Sequence, residues 1–338
     1  MTTTTEPKKD VYQIITDRIL EKLDAGKIPW ERPWRLYGGG DGEIGFYQNG
    51  ITKRKYGGIN ILLLAGCGFE SPDFFSWKQI EKLGGTIKDE HKKNGEMVVF
   101  WKITRYKAQN GDDADNDVDS GNDTDSGNDV DGNDSGKDEW KKGVILRYYR
   151  VWNREQCDGL PEKVSKEIED AEKKKDDELD IMPEENAERI LAEYAEDGPT
   201  VQEGFAQACY IPAKDHVNMP KRTSFKTNEA WYATLFHELA HSTGHPKRLN
   251  RMEMKTYSGD SRAREELCAE IAASFLCGVA GIERPIIENA VAYIQSWSKQ
   301  LKEDKKCVVL AAQAAQKAAN WILNKRDQIF GYNKEVKA

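Results

Sequence analysis

Residues 110–139, NGDDADNDVDSGNDTDSGNDVDGNDSGKDE, hold eleven Asp, one Glu and one Lys. A run so acidic, so poor in apolar side chains and so rich in Gly and Ser cannot bury enough surface to offset its ordering entropy. It reads as a disordered, solvated loop, and any core must be built from what lies on either side. Its flanks, MVVFWKITRYKA (97–108) and VILRYYRVWN (144–153), are rich in β-branched and aromatic residues, which predicts two paired strands with the acidic run as an overgrown hairpin loop. A calcium loop of the twelve-residue type needs Gly at its sixth position and Glu at its twelfth. Counting from Asp115 those places hold Ser120 and Ser126, and from Asp129 they hold Asp134 and Trp140, so neither start fits.

The run also distorts the charge balance. The chain of 338 residues carries a formal charge of -8, but without these residues 49 basic side chains face 46 acidic ones. Residues 1–109 with 140–163 carry 24 Lys and Arg against 17 Asp and Glu, and hold 18 of the 32 aromatics. A mildly basic, aromatic-rich first domain lies behind an acidic average. The length asks for more than one domain. No stretch approaches the ~18 apolar residues that a membrane helix needs. The first residues, MTTTTEPKKD, lack an apolar signal core, so a cytoplasmic protein with no membrane contact is expected. The six cysteines form no C-x-x-C pair and read as reduced thiols.

An amphipathic helix is expected from Val11 to Ala25, with Ile14, Ile15, Ile19, Leu20 and Leu23 on one stripe and Gly26 at its end. The first domain spans 8–165, with 110–139 as its insertion. Residues 166–184, dominated by Lys, Glu and Asp, read as a charged helical linker. A second domain spans 185–330. It is mostly helical, with helices near 228–243, 262–280, 284–302 and 306–325 and a short strand at 207–212. The fold class is α+β in two domains, which implies that residues 1–165 fold on their own.

The sharpest chemical signal is His237-Glu238-Leu239-Ala240-His241, inside the helical stretch NEAWYATLFHELAHSTGH. Residues four apart on a helix share a face, so both imidazoles reach one metal, and Glu238 falls beside them as a general base. A catalytic zinc takes three protein ligands and keeps one position open; another divalent ion is an alternative. A third His six residues after the second is excluded, because position 247 is Lys. The other route is a carboxylate from a later helix, RAREELCAEIAASFLCGVA (262–280). Glu266 is the expected ligand, with Glu265 as its competitor one register away and Glu270 as the carboxylate that holds a ligand histidine from behind. Tyr257 and His245 are candidates to stabilise an oxyanion. The segment ACYIPAKDHVNMPK, with Asp215 and His216, reads as an edge strand able to hold an extended peptide.

The first domain pairs cations with rings. Lys53, Arg54, Lys55 and Tyr56 precede Gly57-Gly58, and Trp77 precedes Lys78. Single-stranded nucleic acid is held by cations along its backbone and rings stacked on its bases. The competing reading makes most of these rings core residues and KRK one solvated turn.

Taken together, the chain resembles the ArdC-type antirestriction proteins. The first half of the resemblance is carried by ITDRILEKLDAGKIPWERPW, KYGGINILLL, WKQIEKLGG, VVFWK and YYRVWNREQCDGLP. The second is carried by ATLFHELAHSTGHPKRLNR, EELCAEIAASFLC, AYIQSWSKQLKEDK and AAQAAQKAANWIL. The resemblance implies a protein of plasmids, integrative elements or phages. Its N-terminal domain would bind single-stranded DNA, and its C-terminal zincin-like domain would carry zinc and hydrolyse peptide bonds in a protein such as a restriction-system subunit. The alternative it leaves is protection of DNA by occupancy, with a metal site that does no proteolysis. Three departures stand out: IKDEHKKNGEM is a longer, more basic turn before VVFWK than the family usually has, the acidic insertion is foreign to it, and Arg262 stands where an aromatic often precedes Ala263.

Overall fold

The computed structural model describes residues 10–30, 47–65, 67–107, 140–161, 183–251, 259–282 and 290–325. The acidic insertion 110–139 lies outside them, as does all but the last two residues of the expected linker.

The N-terminal part opens with helix α1 (Val11–Asp24). Asp10 caps it by accepting a 2.7 Å bond from the Gln13 N–H, and Gly26, at φ +74°, takes the left-handed turn that ends it. Strand β1 (Gln48–Asn49), helix α2 (Ile59–Leu64), strand β2 (Asp73–Ser76), helix α3 (Trp77–Lys82) and strand β3 (Thr86–Ile87) follow. Then come the long strands β4 (Glu96–Lys107) and β5 (Trp140–Asn153) and the short β6 (Cys157–Asp158). The main sheet has the order β1-β2-β5-β4. Its β4–β5 ladder is antiparallel and runs unbroken from Glu96↔Val151 to Lys107↔Trp140, so the hairpin read from the two apolar flanks is present.

Both faces of this sheet are partly covered, as the two-residue alternation of a strand requires. Val98 and Val151 pack with Tyr56, Leu64 and Phe74 on one side; Met97, Val99 and Leu146 join the main core on the other. The outer edge of β4 is capped by a side chain: Asn60 of α2 donates to the Val99 carbonyl (2.9 Å) and accepts from the Val99 N–H (2.7 Å). An amide in that position answers the unpaired edge that would otherwise invite another strand. Lys22 of α1 closes α2 from below, its Nζ within 3.2 Å of the Leu62 and Ala65 carbonyls.

The C-terminal part holds α4 (Pro183–Ala195), β7 (Thr200–Glu203), β8 (Cys209–Ile211), β9 (His216–Met219), α5 (Asn228–Ser242), α6 (Gly259–Ala280), α7 (Ala290–Glu303) and α8 (Cys307–Ile322). A small sheet has the order β7-β9-β8, with β8 on the edge next to α5. Helices α6 and α8 pack closely because both are lined with fully buried alanines, among them Ala269, Ala272 and Ala273 on one and Ala311, Ala312 and Ala315 on the other.

The two parts do not have separate cores. Ile15, Ile19 and Leu23 of α1 lie in one continuous cluster with Leu301, Val308 and Ala312. Trp30 meets Trp297 edge-on at 6.1 Å, Thr16 donates to the Lys305 carbonyl at 2.8 Å, and the Gly58 N–H donates to Gln316 at 3.0 Å. The helix stripe read as belonging to the first domain is thus shared with the other part. No helix among the described residues is long and apolar enough to cross a membrane.

Candidate metal centre

Thr227 caps the N-terminus of α5 by accepting from the Ala230 N–H. Trp231, Tyr232, Leu235, Phe236 and Leu239 anchor the helix in the core. That anchoring leaves His237 and His241 together on the α6 side, with their Nε2 atoms 3.1 Å apart. Glu266 comes to meet them from α6, its Oε2 3.6 Å from His237 Nε2 and 3.5 Å from His241 Nε2. The three donor atoms lie within 4.8 Å of one another. Two imidazoles and a carboxylate form a donor set suited to a divalent transition metal such as zinc or manganese.

Each imidazole has a second carboxylate behind it. Glu270 Oε1 is 3.5 Å from His237 Nδ1, and Glu265 Oε1 is 3.4 Å from His241 Nδ1. Glu265 is therefore placed behind the group rather than in it. Burial opposes a charge on His241, but its contacts with Glu265 and Glu266 outweigh that and raise its pKa to about 9. The contacts with His237 and then His241 hold Glu266 well below the ordinary carboxylate range. Glu265 is pushed up by burial, yet His241 and Arg251 bring it below its ordinary value.

Arg251 was not found from the sequence. It grips Glu265 with two bonds, from Nε (3.1 Å) and Nη2 (2.8 Å), and also donates to Thr243 Oγ1 and the Ala240 carbonyl. The available signal was the pair Arg248 and Arg251, three apart, in the loop directly after the helix. Glu238 lies next to His237 on α5. It is 9% exposed, and its Oε2 accepts a 2.7 Å bond from the backbone N–H of Tyr210 in β8. The segment expected to form one edge strand is two, the edge strand β8 and the central β9, and the Tyr210 amide of β8 is engaged by Glu238.

The remaining candidates are placed as follows. His245 Nδ1 accepts from the Lys247 N–H at 3.2 Å and lies 4.0 Å from Asp215, outside the His237–His241–Glu266 group. Tyr257 lies outside the described residues. Asp215 ends a 3-10 turn in the left-handed region (φ 48°), and His216 packs its ring against Phe205.

In the N-terminal part, Tyr56 is a core residue, edge-on to Phe74 at 6.4 Å, and its ring is closed to a base. Lys53 pairs at 3.1 Å with Asp73, which has no exposed surface, so its charge is partly spent inside the domain. Arg54 and Lys78 are exposed and Lys55 is half-buried. Trp77 is 49% exposed and rests edge-on against Trp152. Two further rings, Phe100 and Tyr148, are also exposed. Both were assigned to paired strands, where alternation alone does not say which face is covered.

A HExxH helix whose two histidines meet a glutamate from the next helix, beside a small sheet, defines a zincin-like metallopeptidase domain. A family model of that description matches residues 185–314, and one described as the N-terminal domain of anti-restriction factor ArdC matches residues 9–152. The chain is thus of the ArdC type, an ArdC N-terminal domain joined to a zincin-like metallopeptidase domain.

Among solved structures, the antirestriction protein ArdC of plasmid R388 matches in its metal-free form with a TM-score of 0.65 at 28% identity, over 93% of this chain and 97% of that one. Its Mn(II)-bound form matches with a TM-score of 0.63 at 27% identity, over 94% and 98%. Two DNA primases TraC of Escherichia coli are 32% and 30% identical over 326 residues, 94% of this chain. The chain spans only 27% and 20% of their length. The uncharacterized protein y4eC of Sinorhizobium fredii is 27% identical over 95% of both chains.

Proposed function

We propose that this chain is an antirestriction protein of a mobile element, acting in the bacterial cytoplasm. It binds single-stranded DNA and hydrolyses peptide bonds at a divalent metal, zinc in the first instance. The observation that carries the reading is the convergence of His237, His241 and Glu266, with Glu238 the next residue after His237 on the same helix. A cation held there supplies Lewis-acid polarisation of a carbonyl and acidifies water. The chain's own residues do the rest. His237 and His241 present their Nε2 atoms, and Glu270 and Glu265 fix the two rings from the Nδ1 side. Glu238, with Oε2 committed to the Tyr210 N–H, keeps Oε1 to take a proton from the attacking water and return it to the leaving amine. A site meant only for structure would need no such base.

The single-strand surface is drawn around the rings that remain exposed. Tyr148 and Arg150 share one face of β5 by alternation, and Trp77, resting against the buried Trp152, extends that row. Phe100 and its register partner Arg147 lie on the other face with Lys102. Exposed rings interleaved with cations suit stacking on bases and neutralising phosphates.

The test incubates wild type and Glu238→Gln with restriction-system subunits, with and without a labelled single strand. Cleavage by wild type alone is expected, with equal metal content in both and a salt-dependent band shift in both. Retained DNA binding with no cleavage by wild type would replace the proteolytic reading with protection by occupancy.

A further inference from the structure

Arg248, in the loop after α5, has a side chain only 2% exposed. A buried guanidinium is tolerated only when its donors are met, and here all five N–H directions have acceptors. Nε donates to the Ser242 carbonyl (2.7 Å) at the end of α5. Nη1 donates to the Asp197 carbonyl (3.0 Å) and Asp215 Oδ2 (3.1 Å). Nη2 donates to Asp215 Oδ1 and, at 3.3 Å, to the Tyr210 hydroxyl. Tyr210 in turn donates its hydroxyl to Asp215 Oδ1 at 2.9 Å.

Tyr210 is thereby held at two points. Its side chain is tied through Asp215 and Arg248 to the C-terminal end of α5, and its backbone N–H reaches the middle of the same helix at Glu238. The strand β8 cannot shift along α5 without breaking one of the two. The arrangement parallels the one around His241, where Arg251 grips Glu265 and Glu265 backs the ring. One loop supplies two arginines, three residues apart, and each acts on the centre through a carboxylate.

We propose that Arg248 and Asp215 are positioning residues for Glu238, acting through Tyr210. They hold the N–H that fixes Oε2 and so decide that Oε1 faces the attacking water. The proposal deepens the peptidase reading and rests on it for its consequence in catalysis. Among the described residues, neither makes a hydrogen bond or ion pair with His237, His241 or Glu266, so metal retention separates the two ideas.

The test uses the full chain labelled with ¹⁵N-tyrosine, the Tyr210 amide being assigned by its absence in Tyr210→Phe. In the zinc-loaded wild type this amide should resonate downfield and exchange slowly, because its acceptor is a carboxylate. Glu238→Gln should move it upfield and speed its exchange. Arg248→Met and Asp215→Asn should do the same, by about tenfold in exchange, while keeping one zinc per chain. On unfolded casein they should lower kcat ten- to a hundredfold, on the order seen when outer partners of a site are removed, with KM within about twofold.

Asp215→Asn changes a single atom at a left-handed position that Asn accepts, so it decides the matter if Arg248→Met does not fold. A Tyr210 amide that responds to Glu238→Gln but not to Asp215→Asn overturns the proposal and leaves Arg248 a corner clamp. An amide that responds to all three, in a protein that binds zinc and cleaves nothing, overturns the peptidase reading and leaves the coupling standing.

Discussion

Glu265 and Glu266 are neighbours in the chain, yet they meet different atoms of His241, because one residue turns a helix by about 100°. Glu266 reaches Nε2 and Glu265 reaches Nδ1. Glu266→Ala should therefore abolish tight metal binding. Glu265→Ala and Arg251→Met should each weaken it by about ten- to a hundredfold, the usual effect of removing a ligand's outer partner. Competition with a chromophoric chelator measures all three, and a Glu265→Ala variant weaker than Glu266→Ala would reverse the two assignments. The meeting of the two histidines was legible from spacing alone, since four residues on a helix define a face whatever surrounds it. Glu266 needed a choice of register between two helices, and the apolar backing of Ile271, Phe275 and Leu276 supplied it. Arg251 and the Tyr210 contact were not legible. Tyr210 and Glu238 are 28 positions apart, and nothing local to either announces a bond between a backbone amide and a carboxylate.

Strand β4 draws on a residue outside the sheet to close its edge. Its inner edge is paired throughout with β5, while at Val99 its outer edge relies on Asn60. Asn60→Ala would leave both backbone groups of Val99 without that partner. Each unmet buried group costs about 1–3 kcal/mol, so urea unfolding should show a loss of that order with an unchanged slope. A loss below about 0.5 kcal/mol, the range of ordinary surface substitutions, would show that water replaces the amide without penalty. β4 could be read from β-branched and aromatic enrichment to within a residue, whereas β5 begins at Trp140, four residues before the enriched stretch at 144–153. The cap could not be read, because a lone Asn in INILLL carries no periodic signal. The same limit explains Tyr56, whose place beside KRK and two glycines looked exposed while its ring belongs under Phe74.

Taken whole, the molecule has more unity than its composition suggested. Composition changes sharply near residue 165, but the apolar stripe of α1 crosses that boundary to pack on α7 and α8. Heat or urea should accordingly unfold the chain in one transition, with near-ultraviolet dichroism and release of bound metal tracing the same curve. Two separated transitions would restore independent domains. A fragment ending at residue 161 would expose Ile15, Ile19, Leu23 and Trp30, all buried in the full chain, and should aggregate.

The β4–β5 hairpin has a further meaning for how such a chain changes over time. The strands leave and re-enter the sheet through a single register pair, Lys107↔Trp140, whose Cα atoms in such a ladder are about 5 Å apart. The sheet places no demand on the length of whatever joins them, since each doubling of a flexible connection adds only about 0.6 kcal/mol. The hairpin end is thus a port through which new sequence enters without renegotiating the core. A reporter domain whose own termini lie close together could be spliced there in place of the acidic run, giving this protein a tag carried by the sheet rather than by either end of the chain.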